Sequence, residues 1–258
     1  MDKIVELNIL QFALVYLLLV VVLLVMKKCK INQTRLLAVA SLRMTVQLVL
    51  AGLILTYIFK NPHPAFTFIY VFCMAAFAVY RTLSRHKDLN NRFKLAIALS
   101  LFGCGAVIVT FFVTVVVGND LANPQYTIPL SGMIFGNAMT GVTLGLKSFT
   151  ENLKTQRIKI NTLLNLGVTP RKILLPFVNN AIETALLPTM NNMVGMGIVS
   201  LPGMMTGQIL SGTLPMTAIL YQIAIMIAVC TVVCLTCFCS LYFGYKTLYN
   251  KKNQLVGI

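Results

Sequence analysis

Carboxylates are scarce in this chain, with six Asp and Glu among 258 residues. One of them, Glu183, stands in the apolar stretch FVNNAIETALLPTMNN, with Asn179 one helical turn before it. A carboxylate at membrane depth is costly and marks a cation or proton site; the other reading puts Glu183 at the membrane boundary. Arg43 and Gln47 form a second polar pair one turn apart in apolar surroundings. They read as an anchor facing a pore or a neighbouring helix, or as an arginine snorkelling back to water. Asn137, in SGMIFGNAMTG, carries an amide suited to a hydrogen bond across helices. Methionine is abundant, 13 in all, and Met190, Met193, Met196, Met204 and Met205 crowd one region. Thioethers suit soft metals and are also adaptable packing groups. The candidate metal set is therefore Glu183, Met204 and Met205.

Other chemistries find no support. The stretch GVTLGLKS at 141–148 departs from a phosphate-binding loop, because Leu146 precedes Lys147 and the glycines are four apart. The two histidines, His63 and His86, lie in separate loops, with no HExxH and no GxSxG. The chain is therefore expected to lack an ATP-hydrolysing site and not to be an enzyme. Of the seven cysteines, Cys230, Cys234 and Cys237 share one helical face. They read as a soft-metal set or, more simply, as small packing residues.

The elements that must position these residues are membrane helices. The chain is 58% hydrophobic and 10% charged, where soluble domains carry roughly a quarter charged residues. Seven apolar segments are legible, near 6–26, 36–59, 64–80, 95–117, 128–149, 186–207 and 214–243, most of them close to the ~20 residues that a span needs. Most of the 21 basic residues fall in alternate connections, around Lys27 to Arg35, Arg81 to Lys94 and Lys147 to Lys172, and in the tail at Lys246, Lys251 and Lys252. The net charge of +15 thus records topology and argues against nucleic acid. It predicts an all-α polytopic protein of about seven transmembrane helices, N-terminus outside and C-terminus cytoplasmic. The apolar start, flanked by Asp2, Lys3 and Glu6 and ending in KKCK, reads as a retained helix.

A single transmembrane domain is expected over 1–258, with a cytoplasmic loop at about 150–172. Within that loop IKINTLLNL reads as a short amphipathic helix, stopped at Gly167 with Pro170 beyond. Three GxxxG pairs, Gly132/Gly136, Gly141/Gly145 and Gly203/Gly207, predict close helix packing. SLPGMMTGQILSG at 200–212 reads as irregular backbone, either a re-entrant segment whose carbonyls, with Gln208, meet a substrate, or an external turn.

Several stretches together resemble the FetB family, the membrane permeases of iron-export ABC transporters. They are RMTVQLVLAG (43–52), GNAM (136–139), LNLGVTP (164–170), LLPTMNNM (186–193), GIVSLPGMMTGQILSG (197–212) and AILYQIAIM (218–226). The resemblance implies a homodimer in the cell membrane, driven by a separate cytoplasmic ATPase subunit that holds ATP and Mg, with no cofactor on this chain. Read from the residues themselves, the candidate transport path runs through Arg43, Gln47, Asn137, Glu183, Asn191, Met204, Met205, Gln208 and Gln222. Importer permeases carry an EAAxxxG coupling loop; the matching register here is NTLLNLG, in which Gly167 fits and Asn161, Thr162 and Leu163 depart. Asn161, Leu164, Leu166, Gly167, Thr169 and Pro170 are the expected ATPase-coupling residues. The competing reading is a stand-alone ion-coupled transporter or channel that uses Glu183.

Overall fold

A computed structural model describes residues 9–250; Lys3, Lys251 and Lys252 of the charge pattern lie outside them. The described residues form nine α-helices and their turns, with no strand. They divide into two compact units. The smaller contains the hairpin of α1 (Ile9–Lys28) and α2 (Thr34–Lys60). Its turn closes through Lys30 in left-handed backbone, and the Tyr16 hydroxyl hydrogen-bonds that of Thr45 across the pair.

The larger unit holds α3 (Pro64–Arg85), α4 (Asn91–Phe111, widening into a π-helical turn at Phe112–Val116), α5 (Pro124–Thr155), α6 (Arg157–Asn165), α7 (Pro170–Gly195), α8 (Gly203–Leu210, all but its last residue) and α9 (Pro215–Tyr245). Four of these helices begin with proline, at 64, 124, 170 and 215. At the first helical position the missing N–H costs nothing and the fixed φ is already helical. His63, Asn90 and Asn123 cap α3, α4 and α5 by accepting from the amides two residues on.

Helices α5 and α9 form the centre: α5 packs on α3, α4, α7 and α9, and α9 on α4, α5 and α7. Small residues permit this. A Cβ at Gly141 would stand 2.5 Å from Val233 Cγ1 of α9, and one at Gly145 would stand 2.7 Å from Cys237 Sγ and 3.1 Å from the Ala181 carbonyl of α7. The pair Gly141/Gly145 is thus the close-approach motif. Gly132 meets only Met74 of α3, while Gly136, Gly203 and Gly207 meet nothing within 4 Å. The outer faces are apolar: Phe68, Ile69, Phe72, Leu95, Leu99 and Val107 are all exposed, a surface that water would not tolerate and lipid does.

Among the described residues five helices are long and apolar enough to cross a membrane: α2, α3, α4 with its π turn, α7 and α9. Helices α1 and α5 coincide with the first and fifth apolar segments and are not in that set. One expectation is corrected. The sixth segment, placed at 186–207, is the helix Pro170–Gly195. Its first half was hidden by Arg171, Lys172, Asn179, Asn180 and Glu183 on exposed positions, and by Pro176 and Pro188 inside it. A second follows: 200–212 is not irregular throughout. A tight turn closes by Gly197 N–H to the Ser200 carbonyl (2.9 Å), with Gly197 at φ +84°. The two-turn α8 comes next, and Gly212 at φ +98° leads towards α9.

Candidate functional site

Helix α7 is built with two faces. Ile173, Leu174, Val178, Ala181, Ala185 and Thr189 are buried against the bundle. Asn179, Asn180, Glu183 and Asn191 are exposed. Glu183 lies near the middle of the helix, and among the described residues it forms no ion pair. On α5, Asn137 and Thr140 are exposed as well. Asn137 does not bond across helices as expected: its Nδ2 donates to the Met133 carbonyl of its own helix, 2.8 Å away. Where α5 and α7 meet, the Ser148 and Thr184 hydroxyls hydrogen-bond at 3.3 Å. Exposed polar residues thus stand on both helices, those of α7 among exposed Leu187, Met190 and Val194. Arg43 and Gln47 sit on α2, in the smaller unit. Asn180 was missed in sequence; its spacing of three from Glu183 is the signal that finds it.

Thioethers converge elsewhere. A cavity of about 460 Å³ is lined by Met193 and Met196 at the end of α7, Met205 of α8, and Met226 and Gln222 of α9. Gln222 is 4% exposed; its Nε2 donates to Met196 Sδ at 3.8 Å, and its Oε1 is buried without a hydrogen-bond partner. Met204 points elsewhere and packs half-buried on the core, as one-residue spacing on a helix requires. Gln208 is half-buried on α8. Glu183 does not line this cavity, so the structure does not gather Glu183, Met204 and Met205 around it. Among the described residues no three of His, Cys, Asp or Glu are grouped to hold a metal. Cys237 is spent on packing against Gly145.

The segment expected to be a loop at 150–172 is mostly helical. Helix α5 continues to Thr155, and α6 spans Arg157–Asn165. Gly167, at φ +81°, ends α6 in a Schellman motif: its N–H bonds the Leu164 carbonyl and the Val168 N–H bonds that of Leu163, both at 3.0 Å. Pro170 then starts α7, buried. Ile160 holds α6 to the bundle at 2% exposed, while Leu166 is 74% and Ile158 84% exposed. Asn161, Gly167 and Thr169 are exposed and Leu164 half-buried. Ile158 was missed, because QRIKINT reads as a charged stretch in which one isoleucine looks incidental.

The basic connections of the larger unit meet at one end. Asn90, after α3, donates to the Thr247 carbonyl after α9 (3.3 Å), and Lys154 pairs with Asp88 (3.7 Å). At the other end Thr67 donates to the Ala122 carbonyl (3.1 Å), with no basic residue in the 117–123 turn. At the basic end His86 is half-buried, and burial is the chief reason its pKa lies below the ordinary 6.5. A hydrogen bond to the Thr143 backbone and the charge of Asp88 oppose this, while Arg85 adds to it. The unfolded chain thus takes up the proton first as pH falls. His86 stabilises the fold fully above pH 6.5, and the contribution is lost as pH drops from 6.5 towards the lower folded value. Melting in detergent at about pH 7.5 and about pH 5.5 should show an acid loss that is smaller in His86→Gln; equal losses would remove His86 from the account.

An all-helical bundle with an apolar exterior, spanning helices and basic residues gathered at one end is a polytopic integral membrane protein. The chain belongs to the uncharacterised protein family UPF0014, whose model matches residues 9–249. It is 30% identical to the UPF0014 membrane protein YjkA of Bacillus subtilis, over 95% of this chain and 97% of the relative. It is 31% identical to the Escherichia coli protein named "probable iron export permease protein FetB", over 95% and 94%. It is 30% identical to the protein ALUMINUM SENSITIVE 3 of Arabidopsis thaliana, over 83% and 77%. No solved structure matches the chain.

Proposed function

We propose that this chain is the membrane permease of an ABC transporter that exports a metal ion, iron or a related one, across the cell membrane. In this reading α1, α2, α3, α4, α5, α7 and α9 make seven crossings, with the basic end cytoplasmic. The observation that carries the proposal is the uncovered polar face of α7, with Asn180, Glu183 and Asn191. An ionised side chain at the bilayer centre costs about 2.5–3.5 kcal/mol on insertion scales, so lipid is a poor cover for Glu183. A second copy supplies a better one, and a polar path between two copies follows. The name of the E. coli relative supports iron as cargo.

Helix α6 supports the coupling half. It is short, held by Ile160, and presents Ile158 outward between Arg157 and Lys159, with exposed Leu166 directly after it. Exposed apolar anchors on a helix are what a hydrophobic groove of a soluble ATPase would take. ATP would be hydrolysed on that partner, and closure of the ATPase pair would move α6 and with it α5 and α7.

The test is co-purification of the chain with a candidate ABC ATPase of the same organism, then ATPase activity in liposomes titrated with Fe²⁺. Fe²⁺ stimulation is expected. Leu166→Glu, which buries a charge in the docking groove, should abolish complex formation and leave the melting curve of the permease unchanged. A complex unaffected by Leu166→Glu and Ile158→Glu would show that α6 is not the docking element. Metal flux that needs no ATPase and follows the proton gradient would favour the ion-coupled carrier, for which exposed Glu183 is the coupling group.

A further inference from the structure

We propose that the cavity between α7, α8 and α9 binds a soft monovalent cation, Cu(I) in a cell, through the thioethers of Met193, Met196, Met205 and Met226. The site follows from its lining and does not rest on the permease reading above. Four methionines from three elements line one space of about 460 Å³, where a packing role would have them fill it. Among the described residues no carboxylate, imidazole or thiol lines that space, so it offers nothing to a hard or highly charged ion. Thioether donors select Cu(I) over harder divalent ions. The lining is uncharged, which suits a single positive charge better than two or three.

Gln222 gives the cavity its polar end. It is 4% exposed, and its Oε1 has no hydrogen-bond partner although the residue lines the space. A buried acceptor left unpaired is expensive, and a cation in the cavity would satisfy it. Its Nε2 donates to Met196 Sδ, which orients that side chain from α9. Gln222 thus offers one oxygen contact to the ion and positions Met196, and the thioethers are the principal ligands.

The test uses the full chain labelled with selenomethionine, in detergent, with Cu(I) supplied anaerobically from a buffered chelator. X-ray absorption at the selenium edge then reads copper–selenium contacts directly, whatever the seven cysteines bind. One copper per chain with such contacts is expected. Met196→Leu with Met205→Leu conserves volume; it should erase those contacts and weaken Cu(I) binding by about tenfold or more, with Gln222→Leu doing so by about tenfold. Should the double variant misfold, Met226→Leu alone must still weaken binding. Copper held with no selenium contact, or binding unchanged in these variants, would overturn the site. Absence of a copper site with the ATPase complex intact would overturn this site alone; loss of the complex with copper still bound would overturn the permease reading alone.

Discussion

Replacing Gly145 by leucine is expected to unfold the larger helical unit, or to leave it melting far below the wild type. The Cβ alone would stand 2.7 Å from Cys237 Sγ, 3.1 Å from the Ala181 carbonyl and 3.3 Å from Ala185 Cβ. Cysteine can turn away; the backbone carbonyl of α7 cannot without shifting its helix. Overpacking a tight core costs about 1–3 kcal/mol for smaller insertions, and leucine adds three further carbons at the junction of α5, α7 and α9. A loss of at least about 3 kcal/mol follows. Gly136 is the internal control. It also belongs to a GxxxG pair, yet nothing lies within 4 Å of its added Cβ, and leucine improves helix propensity by up to about 1 kcal/mol. Gly136→Leu should melt as the wild type does, or slightly above. Thermal unfolding in detergent, read by loss of the size-exclusion peak, compares the two. Equal melting of Gly145→Leu and wild type would mean that the three helices do not approach as described.

Glu183→Gln is expected to cut metal-driven transport by about tenfold or more, equivalent to about 1.4 kcal/mol at the limiting step, while the protein still folds and still binds its ATPase. The side chain is exposed, forms no ion pair among the described residues, and keeps its shape on amidation. Stability therefore has little to lose. What disappears is the one negative charge on the uncovered face of α7, and with it the attraction for a passing cation. Flux into inverted vesicles gives the readout, with Asn180→Ala as a neighbour expected to have a smaller effect. Wild-type flux in Glu183→Gln would retire the α7 face as the path.

Much of the fold could be read from particular residues. Prolines 64, 124, 170 and 215 mark helix starts, and Gly167 with Pro170 delimits α6 as expected. The failure at α7 has a physical cause. A window average treats a helix with one polar face like a polar connection, so Asn179, Asn180 and Glu183 pushed the sixth span towards 186–207. The glycines of LPGMMTG read as a break, yet Gly203 and Gly207 lie in α8, with Thr206 Oγ1 donating to the Pro202 carbonyl (3.1 Å). Of the residues read from type alone, Met205 and Gln222 line the cavity and Gln208 and Glu183 do not. The grouping of Met205 with Gln222 was not legible: Met226 lies 21 positions beyond Met205, and only the folded chain shows that Met205 lines the cavity and Met204 does not. Likewise all three GxxxG pairs look alike as letters, and only Gly141/Gly145 has two helices pressed against it.

Pro176 and Pro188 give α7 a mechanical character that its length conceals. Each lacks an N–H, so the carbonyls of Lys172 and Thr184 have no main-chain amide four residues on. A rod with two missing rungs has its bending stiffness lowered at two places and kept between them. The stretch from 176 to 188, which carries Asn180 and Glu183, is then a stiff lever between two compliant joints. It can tilt without breaking a further backbone hydrogen bond, and the work of tilting is taken up at joints already formed when the chain folds.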